Sequence, residues 1–474
     1  MFNFFRKKPQ IDYKALNEFL ATFYNGAQLG EKSFNYANAD ADFEEFSADE
    51  RAELRRRAKW HSANDGISAN IDANIIASTV GNGIKIQFRV PEHLFTPKKQ
   101  REINNRIEDY IENAFDRLEI SGRFNSAMQI EAALMKTLIV EGECFAQIIH
   151  TKDRRYPTKI ALYEPHRIAD GAFKREPNIV DGLEVDETGR VLNYYFNDGQ
   201  YRNETKKIPA DKVLHLIERD YPSQYRGVTH YAQSILNLRN LSGYIDAALI
   251  GARTRKSISF AVKNSANGAP KGGIIGRGKE TPLAPSYPVQ KIVAGMVHYL
   301  NAGEEIQTLA APDVGNEFDP FVKTALRLIA AGRRFSYEFA FSDFSQTNFT
   351  SGRMGENKDW RILSMYKARI TEQVLRPIVR QLLDDAIKTG IVDLPNYFNN
   401  PDAYFYPRFI YPIRQYINPV DEVNAERAAL EMGLTSKTAL AAARGREFEE
   451  IAYEIQKEKE LEERLGIARK EKEQ

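Results

Sequence analysis

Tyr231, Ile235, Leu238, Leu241, Ile245, Leu249 and Ala252 recur on one helical stripe. The spacing predicts a single helix from Thr229 to Ser257, about 43 Å long at 1.5 Å per residue. That exceeds the roughly 30 Å diameter of a small domain, so the chain must use the rod as a strut. Its last turn reads "RTRK", placing cations where the helix dipole favours them.

A second rod follows in "FDPFVKTALRLIAAGRRFSYEFA", Phe318 to Phe339, with Pro320 in the first turn where proline is tolerated. A third begins after "FSDFSQTNFTSGR" and buries Leu363, Tyr366, Ile370, Val374, Ile378 and Leu382 before ending at Gly390. Pro377 lacks an amide hydrogen and crowds the carbonyl four residues back, which predicts a kink. The connecting segment is polar, and Asp343 and Arg353 are its only charges.

Elsewhere the period changes. The first ninety residues read mainly as helix, with a Ser47-x-x-Glu50 capping box, a break at Asn64-Asp65-Gly66, and a glycine stop before the alternating "GIKIQF". A helical pair spans about Lys98 to Val140. "ECFAQIIH", "TKIALYEP", "IVDGLEVDETGRVLNYYF" and "KVLHLIE" read as short strands of a mixed or antiparallel sheet, with a turn at Asp186–Gly189. Lys263 to about Asn316 is rich in Gly, Pro and Ala and reads as a small subdomain containing a strand-like "VQKIVAGMVHYL". "AYFYPRFIYP" is a strand, and the tail from Pro419 is helical and strongly charged beyond Arg444. The fold class is α+β, and strands and helices do not alternate as in a doubly wound nucleotide fold.

Of the 474 residues, Lys and Arg number 66 against 65 Asp and Glu, so no global basic field marks a tight nucleic-acid binder. The single cysteine, Cys144, has no intramolecular partner, points to a reducing compartment and reads as a small core residue. The N-terminus lacks the apolar run of a secretory signal, and no window reads as a membrane span. The glycosylation-like "NET" at Asn203 and "NFT" at Asn348 read as chance matches without export.

"GIIGRGKE", Gly273 to Glu280, has the glycine–lysine spacing of a phosphate loop. Glu280 stands where such a loop needs a hydroxyl, and neither the strand before nor the helix after is present, so an exposed turn is the better reading. Histidines 61, 93, 150, 166, 215, 230 and 298 show no metal-ligand spacing. Asp384 and Asp385 are adjacent on a helix and face different ways. The sequence contains no catalytic constellation and implies no cofactor or metal.

Several segments, in order, resemble the portal proteins of lambda-type tailed bacteriophages. Gln224, Arg226 and Gly227 match a Gln-x-Arg-Gly turn before the first long helix. Ser336, Tyr337 and Glu338, followed by Asp343, Phe344, Ser345, Thr347, Asn348, Phe349, Thr350, Ser351 and Arg353, are similar to the family's most recognisable stretch. "SANIDANIIASTVGNGIKIQ", "VEGECFAQ" and "AERAALEMGLTSKTALAAARGREFEEI" agree with other family segments. The resemblance covers about residues 50 to 455. Arg333 and Arg334 depart from it, standing where a small or apolar pair is expected and adding positive charge beside the loop.

The resemblance implies a structural protein and not an enzyme. It implies a ring, typically of twelve subunits, at one capsid vertex of the virion, assembled in the host cytoplasm. Double-stranded DNA passes through it non-specifically during packaging and ejection. The implied partners are the terminase large subunit, the head–tail connector, and capsid and scaffold proteins, with no membrane. By family order, the N-terminal arm and wing helices occupy 1–97, the wing α/β region 98–228, the first stem helix 229–257, the clip 258–317, and the second stem helix 318–339. A channel loop occupies 340–352, a kinked wing helix and strand 353–418, and a C-terminal crown 419–474. The channel-loop residues are then Ser342, Asp343, Phe344, Ser345, Gln346, Thr347, Asn348, Phe349, Thr350 and Ser351. An uncharged loop suits a sliding polyanion, because each neutralised phosphate would strengthen its grip. A nucleic-acid-dependent NTPase using "GIIGRGKE" and a non-viral scaffold protein are the alternatives.

Overall fold

The computed structural model describes residues 43–169, 178–197, 205–256, 260–264, 304–308, 318–345, 347–411, 419–444, 446 and 448–465. Residues 1–42, the phosphate-loop spacing at Gly273–Glu280, most of the expected clip, and Asn203, His298 and Gln346 lie outside them. The chain divides into two compact units, Met1–Ile235 with Ile329–Gln474, and Leu236–Leu328.

In the first unit, α1 (Phe43–Asn64) and α2 (Gly66–Thr79) are separated by Asp65, whose carboxylate caps α2 by accepting the Ile67 amide at 3.1 Å. The helix begins at Phe43, so Ser47 and Glu50 fall inside it and the expected capping box does not start it. Strand β1 (Lys85–Phe88), α3 (Pro97–Phe115) and α4 (Ala127–Glu141) follow. Gly142 ends α4 in the left-handed region at φ 92°.

Strands β2 (Glu143–His150), β3 (Thr158–Tyr163), β4 (Ile179–Val180), β5 (Leu183–Val185), β6 (Val191–Asn197), β7 (Thr205–Pro209) and β8 (Val213–Ile217) form two sheets, ordered β3-β2-β8 and β4-β5-β6-β7. Every strand pairing is antiparallel. The turn at Asp186 forms as its sequence predicts: Asp186 Oδ1 accepts the amides of Thr188 and Arg190, and Gly189 takes φ 82°. Phe145 from the first sheet packs against Tyr194 and Phe196 from the second, in a core with Leu183, Ile208 and Val213.

The first rod, α5 (Ile235–Lys256), starts six residues later than its stripe predicts. Thr229 Oγ1 accepts the Tyr231 amide, and the amides of Ala232 and Ser234 each bond three residues back, so Thr229–Ser234 forms successive tight turns. Strands β9 (Phe260–Asn264) and β10 (Glu304–Thr308) pair antiparallel. In the second unit Tyr244 stacks on Phe318 and Phe321, tying α5 to α6 (Phe318–Gly332).

The second rod stops at Gly332, short of Phe339. Phe335 N–H donates to Ala330 O at 3.0 Å and Arg334 N–H to Ala331 O at 2.9 Å, with Arg334 at φ 70°. These are the paired bonds of a Schellman C-cap, with arginine where glycine is usual. A short helix α7 (Tyr337–Phe341) follows.

The third rod is α8 (Phe349–Ile370), a π-helical turn over Thr371–Leu375, and α9 (Arg376–Lys388). The π-helical turn lies just before Pro377, the residue that cannot donate and at which the sequence predicts a kink. All six predicted stripe residues from Leu363 to Leu382 are buried. Strand β11 (Pro407–Ile410) pairs with β1, and the chain continues through α10 (Pro419–Glu431), α11 (Lys437–Ala443) and α12 (Phe448–Leu465).

Candidate functional site

The sequence singles out Ser342–Ser351, and the structure divides that stretch. Ser342 is the left-handed C-cap of α7, and Asn348 is the N-cap of α8, accepting the Ser351 amide on Oδ1 at 2.8 Å. Phe349, Thr350 and Ser351 therefore belong to a helix, and the connecting loop proper is Asp343–Thr347. The early helix start follows from Asn348, one of the strongest N-cap residues.

The loop is bonded to its own flanks. Asp343, its one charge, accepts from the Tyr337 hydroxyl at 2.9 Å and from the Ser345 amide at 3.1 Å. Thr347 Oγ1 donates to Glu338 at 3.0 Å. Phe344 is 61% exposed, so it does not anchor the loop inward. Behind the loop lies an open cavity of about 450 Å³, lined by Phe339, Phe344 and Gly352, with Glu338, Arg353 and Glu356 among its charged residues. Ser336 caps α7 and is itself held by Asp359, which accepts its amide at 2.9 Å and its hydroxyl. Helix α2 supports the other end: Asn70 and Asn74 donate to the carbonyls of Ala340 and Phe339 at 2.8 and 2.9 Å, satisfying acceptors a helix end leaves open.

The two arginines before the loop do not add free charge beside it, contrary to the sequence expectation. Arg333 is buried, pairs with Asp72 at 2.6 Å and stacks on the Tyr231 ring at 3.8 Å. Asp72 also accepts from Lys136, the Tyr231 hydroxyl and Ser62, so one carboxylate of α2 gathers α1, α4, the lead-in to α5 and the end of α6. Burial pushes its carboxyl up, but Arg333 and Lys136 together hold it below the ordinary aspartate range. Arg334 turns the other way, to Glu218 and Asp220, each at 3.1 Å. Glu218 also lies 2.9 Å from the His230 ring and from Arg369; against the cost of burial, the His230 contact and the Arg369 and Arg334 guanidiniums bring its carboxyl down to about 2. Consecutive arginines thus occupy two separate carboxylate hubs.

The Gln224-x-Arg226-Gly227 turn is a third hub. Gln224 accepts the Asp220 amide and donates to the carbonyls of Glu218 and Arg226, closing the turn. Arg226 donates to Glu143 and to the carbonyls of Asp181 and Pro165, and Asp181 also binds Arg51. Glu143 completes its set with His215 at 2.9 Å and the Gly227 amide at 2.8 Å; despite burial, Arg226 and His215 hold its carboxyl far below the usual range. Sequence reading found the turn but missed Glu143, Asp72 and Glu218. For Asp72 and Glu143 the available signal was a carboxylate inside an otherwise apolar helix or strand pattern; Glu218, in the charged run just past β8, gave none.

Glu141, Glu164 and His166 come close enough to suggest a metal triad. Lys59 already lies 3.1 Å from Glu141 and 2.5 Å from Glu164 and supplies the balancing charge. Asp384 accepts from Tyr397, and Asp385 accepts the Thr158 amide, so that pair is structural. Cys144 is buried and its thiol is pushed up to about 12 by burial, as suits a core residue. No helix among the described residues is long and apolar enough to cross a membrane.

A model of phage portal proteins matches residues 31–367, a span that holds all three hub carboxylates and every ordered motif except the C-terminal one. The chain belongs to the lambda family of phage portal proteins. It is 21% identical over 383 residues to the portal protein of Escherichia phage N15 and 20% identical over 382 residues to portal protein B of Escherichia phage lambda. Each match spans 74% of this chain and 72% of the relative. It is also 20% identical over 439 residues to the probable portal protein of Halomonas phage phiHAP-1, spanning 87% and 81%. Among solved structures, it is similar to a chain in the neck of an empty gene transfer agent particle, at 13% identity and a TM-score of 0.44, covering 84% of this chain and 93% of that one. A chain of the native particle's virion gives 12% identity and the same TM-score and coverage.

Proposed function

We propose that the chain is the repeating subunit of a closed, dodecameric ring at the capsid vertex of a virion. The ring forms the conduit through which double-stranded DNA enters and leaves. The carrying observation is the uncovered part of the two rods. Ile235, Leu238 and Leu241 are buried, but Leu249 and Ile250 of α5 and Phe321 and Leu328 of α6 are each at least half exposed. Apolar side chains repeated along two long helices need a covering surface, and a neighbouring subunit supplies it.

In this reading residues 229–257 and 318–339 are stem, 258–317 clip, 1–97 and 98–228 arm and wing, 353–418 wing helix and strand, and 419–474 crown. The segment Ser342–Ser351 faces the channel. Its only carboxylate is engaged by Tyr337 and Ser345, leaving hydroxyls and amides for exchangeable phosphate contacts. Terminase, head–tail connector, capsid and scaffold proteins are the partners, assembly takes place in the host cytoplasm, and no catalysis is assigned.

Negative-stain microscopy of the purified chain tests the ring, with closed rings expected; only monomers or open filaments under all assembly conditions would end this reading. Deleting Phe344–Gln346 tests the loop and leaves both helix caps in place. Rings should persist while DNA packaging or retention falls, and normal packaging by that variant would refute the channel role. ATP turnover abolished by Lys279→Ala would favour an NTPase instead.

A further inference from the structure

Two helices of the first unit carry large apolar side chains on their outward sides. In α8, Leu363, Tyr366 and Ile370 are buried on one side, and Met354, Arg361 and Met365 are exposed on the other. Met354 and Met365 are 70% and 59% exposed and share one face three turns apart, with Arg361 between them. No large apolar side chain described before α10 is more exposed than Met354. In α1, Leu54, Ala58 and His61 are buried, and Trp60 is 60% exposed on the outward side with Arg56 and Ala63. It is the more exposed of the chain's two tryptophans. Tryptophan, methionine and arginine are the side chains that interfaces collect, and tryptophan and arginine dominate their binding energy.

The two faces are placed for different neighbours. Helices α1 and α8 each pack on α2 and α4, which lie between them. Each turns its buried side toward that pair, so the Trp60 face and the Met354–Met365 face look away from it on separate sides. A head-to-tail ring needs two distinct patches of this kind on every copy.

The faces also fit each other better than either fits itself. A guanidinium is attracted to the face of an indole more strongly than to other side-chain rings, and methionine sulfur packs well at a ring edge. An arginine flanked by two methionines is thus a seat for one exposed indole, whereas two copies of the α8 face would set Arg361 against Arg361. The cations beside Trp60 do not oppose the approach: Arg56 is bound by Glu53 at 2.6 Å, and Lys59 by Glu141 at 3.1 Å and Glu164 at 2.5 Å. The indole stands edge to face on the His61 ring at 5.1 Å, so it gives up little freedom on docking.

We infer that Trp60 of one copy docks on the Met354–Arg361–Met365 face of α8 in the next, anchoring the contact between adjacent subunits. The inference rests on the ring reading and names one of its contacts.

The test reads the contact between chains. One full-length chain carries Trp60→Phe, Trp360→Phe and Met365→Cys and is labelled at position 365 with bimane, a fluorophore that tryptophan quenches on contact; Cys144 is buried and stays unlabelled. It is mixed with unlabelled parent while ring fraction is followed by light scattering and negative stain. Quenching should grow with the ring fraction, and should be absent when the unlabelled chain carries Trp60→Phe. Mixed rings that the parent does not quench overturn the inference and leave the ring reading intact. Independently, Trp60→Ala and Met354→Ala/Met365→Ala should each raise the concentration needed for half assembly about tenfold or more, with melting curves like the parent's because the sites are exposed. Parent-like assembly of either variant also overturns the inference. A parent that forms no ring under any condition ends both readings.

Discussion

Arg226 donates from Nε to Glu143 Oε1 at 2.9 Å, and both side chains are entirely shielded from solvent. The pair joins the turn before the first rod to the first residue of β2. Arg226→Ala should cost about 3–5 kcal/mol, because the carboxylate is left buried with only His215 and the Gly227 amide. Urea unfolding of the variant checks this, and a midpoint within error of the parent would contradict it.

Gly227 is required by space rather than by backbone freedom. A Cβ there would come within 2.3 Å of Gly142 O and 2.7 Å of Glu143 Cβ. Gly227→Ala should therefore fail to accumulate as folded protein. Gly122 is the control: it takes φ 69° but has no atom within 4 Å of an added Cβ, so Gly122→Ala should cost only the left-handed backbone strain, about 1–2 kcal/mol. Circular dichroism melts of the two variants should separate crowding from strain.

These contacts mark where sequence reading stops. Helix and strand periods are local, so the stripe from Leu363 to Leu382, the break at Asp65 and the turn at Asp186 were legible. The start of α5 was not: Tyr231 fits the helical stripe as well as Ile235 does, and only the Thr229 side chain bonding forward decides for turns. The site was legible as a motif and as a place between helices. Its supports were not, because Asp72 meets Arg333 across 261 residues and Glu143 meets Arg226 across 83. A pair of arginines read as local charge was in fact two ends of two buried networks.

Glu131 supplies a pH dependence. It is buried in α4, and burial pushes its carboxyl up to about 8 even though it accepts the Ile84 amide at 3.0 Å. Because the folded value lies above the unfolded one, folding takes up a proton between the two. The carboxyl is free of penalty below the ordinary glutamate range and costs stability as pH rises toward about 8. Glu131→Gln, which can still accept the Ile84 amide, should flatten that slope and stabilise the chain at pH 7 by on the order of 2 kcal/mol. Thermal midpoints of parent and variant from pH 4 to 9 should converge at the acid end and diverge toward pH 8; parallel curves would contradict the assignment.

Adjacent arginines make the sharpest contrast. Arg333 is fully buried with Asp72 and Tyr231, and replacing it by alanine leaves the buried Asp72 carboxylate with Lys136 as its remaining cation. That should cost about 3–5 kcal/mol. Arg334 is 39% exposed where it meets Glu218 and Asp220, and a solvent-screened pair of that kind contributes about 0–1 kcal/mol. Its backbone sits at φ 70°, where a non-glycine residue costs about 1–2 kcal/mol. Arg334→Gly removes the pairs and the strain together, so its stability should stay within about 1 kcal/mol of the parent. Arg334→Ala keeps the strain and loses the pairs, so it should be the less stable of the two. Urea midpoints ranked parent and Arg334→Gly together, Arg334→Ala lower and Arg333→Ala lowest would support this division. If Arg334→Gly fell as far as Arg333→Ala, the Glu218 hub would matter as much to stability as the Asp72 hub.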